Sequence, residues 1–130
     1  MSDPGHRGVV VSHGELARGL LSAVQRIAGV DESVLIGLSN DGLGPDAIRR
    51  RLDEVLGEGP AVIFSDLPEG SCGLVGRKAC LGRVDRLLIT GVNLPMLLDF
   101  ALHNHLPLDQ LATRLLERGR ASITLFPEVG

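Results

Sequence analysis

Four short runs of almost unbroken apolar residues, at 8–12, 34–38, 61–64 and 86–90, alternate along the chain with stretches of helical periodicity. That alternation constrains the fold more than any other feature. A strand with one wet face alternates apolar and polar residues. Near-continuous Val, Ile and Leu belong to strands covered on both faces, as in a parallel sheet. The intervening helices supply the covers and the right-handed crossovers. The pattern predicts an α/β fold, a doubly wound sheet of four parallel strands flanked by helices.

The helices read from their stripes and punctuation. Leu16, Leu20, Val24 and Ile27 lie on one face and end at Gly29; Ile48, Leu52, Val55 and Leu56 make a second stripe, opened by Pro45 and closed by Gly57. A third helix is expected over 71–81, diluted by Gly73 and Gly76. Pro95 opens a fourth through Leu98, Ala101 and Leu102, and Pro107 separates it from a fifth carrying Leu111, Leu115 and Leu116. The last run, 122–126, is short and β-prone. Residues 1–7 are polar and read as a flexible lead-in, leaving 8–130 as a single domain.

With no Trp, no Tyr and three Phe, aliphatic side chains must fill the core. The same lack of aromatics, with a net charge of -3, argues against a nucleic-acid partner. The basic run Arg49-Arg50-Arg51 falls within a helical pattern and reads as a solvated face. No segment reaches the roughly 18–20 apolar residues of a membrane span, and the polar start is unlike a signal peptide, so a cytoplasmic location is expected. Cys72 and Cys80 match no zinc-knuckle spacing and are expected as reduced thiols.

In open parallel sheets, ligands bind beyond the carboxyl ends of the strands, where the strand order reverses. That rule selects Ser12-His13-Gly14, Ser39-Asn40-Asp41, the segment from Ser65 and Asp66 to Cys72, and Gly91-Val92-Asn93. If the reversal falls between the first and third strands, His13 and Asp66 leave neighbouring strands at one edge. A carboxylate that holds one imidazole nitrogen leaves the other with a free lone pair, which makes a nucleophile. The structural alternative is a histidine that merely ends a strand. The turn Asp66-Leu67-Pro68-Glu69-Gly70-Ser71-Cys72-Gly73 leads into a helix start, whose unpaired N–H groups suit an anion. It lacks the Gly-Lys-Ser/Thr of a P-loop. His103 and His105, two residues apart, do not share a helix face and read as surface polar groups; His6 lies in the lead-in.

Three segments carry a family resemblance: "VVVSHGELARGLLSAV", "AVIFSDLPEGSCG" and "LLITGVNLPMLLDFAL". From about Gly8 to Leu125 the chain resembles the mannose-type enzyme IIA domain of the bacterial phosphoenolpyruvate-dependent sugar phosphotransferase system. The resemblance implies that His13 is transiently phosphorylated. The histidine phosphocarrier protein would donate the group and an enzyme IIB partner would take it. Asp66 would orient the imidazole, and Ser12, Gly70, Ser71 and Cys72 would hold the phosphoryl group, without a metal or other cofactor. It further implies a homodimer in which a short C-terminal antiparallel strand is swapped, and peripheral association with a membrane permease complex. Pro68, Glu69 and Cys72 depart from the family's pattern, and Glu69 stands where a second glycine is usual. No linker to a IIB domain follows, so a stand-alone protein is expected. Two other readings remain open: a regulatory module that senses phosphorylation state, and a metal-assisted hydrolase built on His13, Asp66 and His103.

Overall fold

The computed structural model describes residues 5–128. Its elements alternate strictly through the fourth strand: β1 (Arg7–Ser12), α1 (Leu16–Ala28), β2 (Leu35–Ser39), α2 (Pro45–Leu56), β3 (Ala61–Ser65), α3 (Gly70–Cys80) and β4 (Arg86–Thr90), then α4 (Leu94–His103) and α5 (Leu108–Ala121). The four strands form one parallel sheet in the order β2-β1-β3-β4. The chain winds outward from β1 to β2, returns past β1 to β3, and continues to β4. The strand order therefore reverses between β1 and β3, as the doubly wound reading requires.

The central strands β1 and β3 bury both faces because their alternate side chains enter two different cores, and the edge strands β2 and β4 are half-buried. On one face Val10, Val62 and Phe64 pack with Val24 of α1, Leu97 and Phe100 of α4, and Leu111 and Leu115 of α5. On the other, Val9, Val11, Ala61 and Ile63 pack with Ile48 and Leu52 of α2 and Cys72, Val75 and Ala79 of α3. Phe64 and Phe100 meet edge to face, with ring centroids 5.4 Å apart, the arrangement that ring quadrupoles favour. Burying a Val, Leu or Phe side chain is worth roughly 1.5–3 kcal/mol, so these two layers carry most of the stabilisation.

His6 and Arg7, read in the sequence as part of a flexible lead-in, are held in the fold. Residues 1–4 lie outside the described residues, but Arg7 already belongs to β1. The His6 amide donates to the Asn104 carbonyl at 2.9 Å, and its Nε2 bonds the Leu106 carbonyl at 2.8 Å. Backbone pairing across the α4–α5 connection holds this segment, which composition cannot reveal. The run 122–126 differs too, since within one chain it forms no strand. Ile123, Leu125 and Phe126 are exposed, and a β-prone segment needs an edge to pair with before it becomes a strand. Both cysteines are free thiols, as expected. Among the described residues no helix is long and apolar enough to cross a membrane.

Candidate active site

The register of β1 and β3 pairs Val11 with Ser65, so the residues that follow, Ser12-His13 and Asp66, emerge together at the reversal point. Asp66 Oδ2 lies 2.8 Å from His13 Nδ1 and also accepts the His13 backbone N–H at 3.0 Å. The other oxygen, Oδ1, accepts the Leu67 N–H at 3.0 Å. Burial pushes the Asp66 carboxyl upward, but the hydrogen bonds and charge of His13 outweigh it and hold the group below its ordinary value. Asp66 is thus an ionised acceptor, and a carboxylate can only accept. Nδ1 therefore carries a proton, and in the neutral ring Nε2 is the nitrogen that keeps a lone pair.

Nε2 looks toward the start of α3. A Cβ built on Gly70 would stand 4.0 Å from it, and Gly70 has φ +83, a left-handed conformation that glycine adopts without strain. The N-cap residue, Glu69, is exposed and its side chain caps no N–H of the helix. The first amides of α3, including those of Ser71 and Cys72, therefore form a positive end beside Nε2 of His13. The His13 side chain is 44% exposed against 11% for Asp66. The ring is open to a large partner while its orienting carboxylate is sheltered.

Cys72 sits beneath this pair. Its sulfur, a carboxylate oxygen of Asp66 and a ring nitrogen of His13 all lie within 4.8 Å of one another. Burial and then the charge of Asp66 raise the thiol above its ordinary value, opposed by a hydrogen bond from Ser71. These three are the group among the described residues able to share a metal ion. His103 is not part of it. Its Nδ1 bonds the Asp99 carbonyl at 3.0 Å and lies 3.2 Å from the Asp99 carboxylate, which Arg114 also grips at 2.9 Å. His103 thus joins a hydrogen-bonded network with Asp99 and Arg114 between α4 and α5, outside the cluster of His13, Asp66 and Cys72, which removes the geometric basis of the hydrolase reading. His105 is exposed.

Of the residues expected at the site, His13, Asp66, Gly70, Ser71 and Cys72 come together. Ser12 does not present its side chain there. It is fully buried, and its hydroxyl oxygen accepts the Ala17 N–H at 2.8 Å; it fastens the entry of α1 behind His13. Three supports went unread in the sequence. Ser39 donates to the Gly14 carbonyl at 2.9 Å, bracing the His13 loop from β2. Ser65 donates to the Leu67 carbonyl at 2.7 Å, closing the turn after Asp66. Asn93 accepts the Met96 N–H at 3.1 Å as N-cap of α4 and donates to the Gly119 carbonyl at 3.0 Å, tying α5 to the β4 loop. An Asn-Leu-Pro run is a legible cap signal; the two serines carry none beyond their place at strand ends.

The four-stranded parallel sheet, with a carboxylate-held histidine at its reversal point, is an α/β fold that solved structures share. The phosphotransferase component EIIA from Streptococcus agalactiae superposes with a TM-score of 0.85 at 23% identity, over 92% of this chain and 96% of that one. The mannose/sorbose-specific IIA subunit from Enterococcus faecalis gives 0.81 at 23% identity, over 97% and 99%. The IIA protein associated with the fucose utilization operon of Streptococcus pneumoniae gives 0.80 at 20%, over 96% of each. No curated protein is similar enough to count as a match. Residues 8–112 match the EIIA-man family, described as the PTS system fructose IIA component, and the chain belongs to that family. It is a component of the sugar phosphotransferase system, as the three sequence segments imply.

Proposed function

We propose that the chain is a phosphoryl carrier in which Nε2 of His13 accepts the group from the histidine phosphocarrier protein and passes it to an enzyme IIB partner. The observation that carries this reading is the 2.8 Å bond between His13 Nδ1 and Asp66 Oδ2. In the forward step Nε2 attacks phosphorus in line as the bond from phosphorus to the donor's ring nitrogen breaks. Nδ1 keeps its proton, so the ring becomes positive as the new N–P bond forms, and the Asp66 carboxylate neutralises that charge. The donor's ring leaves neutral. The N–H groups at the start of α3 receive the phosphoryl oxygens without first having to reorganise. Transfer to the IIB partner is the same step reversed on a new acceptor.

An exposed imidazole over a sheltered carboxylate suits exchange with protein partners. The exposed Ile123, Leu125 and Phe126 support the expected exchange of the C-terminal segment as an antiparallel strand between two copies. Sedimentation of the full chain against one ending at residue 121 checks this: a dimer only for the former is expected. Incubation with phosphoenolpyruvate, enzyme I and the phosphocarrier should add one acid-labile phosphoryl group per chain. His13→Ala should take up none, and a labelled His13→Ala chain would refute the assignment.

A further inference from the structure

The fold buries the Cys72 thiol directly beside the His13–Asp66 pair. Its sulfur lies within 4.8 Å of both a His13 ring nitrogen and an Asp66 oxygen, and His13 Nδ1 and Asp66 Oδ2 are 2.8 Å apart. Around a tetrahedral zinc ion, bonds of about 2.0–2.3 Å place ligand atoms roughly 3.3–3.7 Å from one another. Small side-chain movements therefore bring all three groups onto one ion. One imidazole, one thiolate and one carboxylate form a donor set of the kind zinc prefers, leaving the fourth tetrahedral position to a water. The amides of His13 and Leu67 that already bond Asp66 would orient the carboxylate.

We propose that Nδ1 of His13, Oδ2 of Asp66 and Sγ of Cys72 form a binding site for one zinc-class divalent cation, and that cation binding and phosphoryl acceptance exclude each other. The second half rests on the carrier reading above. The cation takes the place of the Nδ1 proton, and the neutral ring then carries its proton on Nε2. The Cys72 thiol loses its proton to solvent as the metal–sulfur bond forms. One dication joins two anionic ligands and a neutral imidazole, and one proton is released. Nε2 has no lone pair in that state and cannot attack phosphorus. Conversely, a ring phosphorylated at Nε2 keeps its proton at Nδ1, where the cation would bind.

The test titrates the metal-free full chain with Co2+, then with Zn2+. One cobalt per chain is expected, with a thiolate-to-cobalt charge-transfer band that persists in Cys80→Ser and is missing from Cys72→Ser. Ring 15N shifts of His13 should report metal on Nδ1 and a proton on Nε2. No such band in the folded wild-type chain, or a band that survives in Cys72→Ser, overturns the site. With the phosphocarrier supplied already phosphorylated, Zn2+ at about ten times its dissociation constant leaves about one chain in ten free, so uptake should fall about tenfold. Cys72→Ser should keep its own metal-free rate when zinc is added. Equal uptake by the wild-type chain with and without bound zinc overturns the exclusion. If the metal-free chain takes up no phosphoryl group but the cobalt-loaded chain shows the band, the carrier reading fails and the cation site stands.

Discussion

Asp66 grips His13 twice through one oxygen, accepting the backbone N–H at 3.0 Å and bonding the ring Nδ1 at 2.8 Å. The first contact fixes where the residue leaves β1, and the second fixes how its ring turns and which nitrogen is free. Position and tautomer are thus set by a single carboxylate held, through its other oxygen, by the amide of Leu67.

Replacing Asp66 with Asn keeps the shape and removes the charge that, in the proposed reaction, would offset a phosphorylated ring. Partners that orient a reacting imidazole are worth about 10–100-fold in the closest measured analogies. The rate of phosphoryl uptake from the phosphocarrier should fall within that range, with the fold intact by circular dichroism. An unchanged rate would mean that the carboxylate has no part in the reaction.

The same pair makes stability depend on pH. The Asp66 carboxyl is held low in the folded chain, so the folded state binds its proton less readily than the unfolded chain, where the group titrates near pH 4. Its contribution is fully present above that value and is lost as pH falls through the depressed folded value. Urea midpoints of the wild-type and Asp66→Asn chains should differ most above about pH 5 and converge on acidification. A constant gap across that range would contradict the assignment.

Glu69 is the N-cap of α3 yet caps nothing with its side chain, and it adds negative charge beside the helix end that would receive a phosphoryl group. Like charges within a few ångström oppose one another, although exposure screens them. Glu69→Gln should raise the uptake rate severalfold at low salt, and the gain should shrink as salt is added. A variant slower than wild type would show that the carboxylate serves the transfer instead.

Asn93 tests whether the third family segment acts through architecture. It caps α4 and holds the Gly119 carbonyl of α5, and none of its hydrogen bonds goes to His13. Loss of a cap costs about 0.5–2 kcal/mol. Asn93→Ala should lower the thermal midpoint by several degrees while leaving the phosphoryl transfer rate per folded chain unaltered.

Much of this arrangement was legible because it rests on local patterns. The apolar runs gave the four strands to within a residue or two, since side chains covered on both faces leave no alternation to misread. The His13–Asp66 pairing followed once the strand order was assumed to reverse beside β1. The features that escaped depend on close approach between distant segments. Gly73 and Gly76 look like helix breakers in sequence; in the fold, a Cβ on Gly73 would stand 2.4 Å from the Pro68 carbonyl oxygen, and one on Gly76 2.8 Å from Leu88. The hydroxyl of Ser12 seemed available to a ligand because its bond to the Ala17 amide exists only after the turn has formed. The polar character of His6 and Arg7 suggested a loose end, but the return of the chain at Asn104 supplies partners for His6, and Arg7 pairs with Ala61 of β3 and donates to the Val55 carbonyl.

The most direct test of the account is to locate the phosphoryl group itself. With 15N-labelled histidine and the phosphocarrier as donor, phosphorus–nitrogen coupling in the labelled chain identifies the ring and the atom. The account predicts a single phosphoryl group on Nε2 of His13, with Nδ1 still carrying its proton toward Asp66. A group on Nδ1 of His13, or on any other residue, would contradict it.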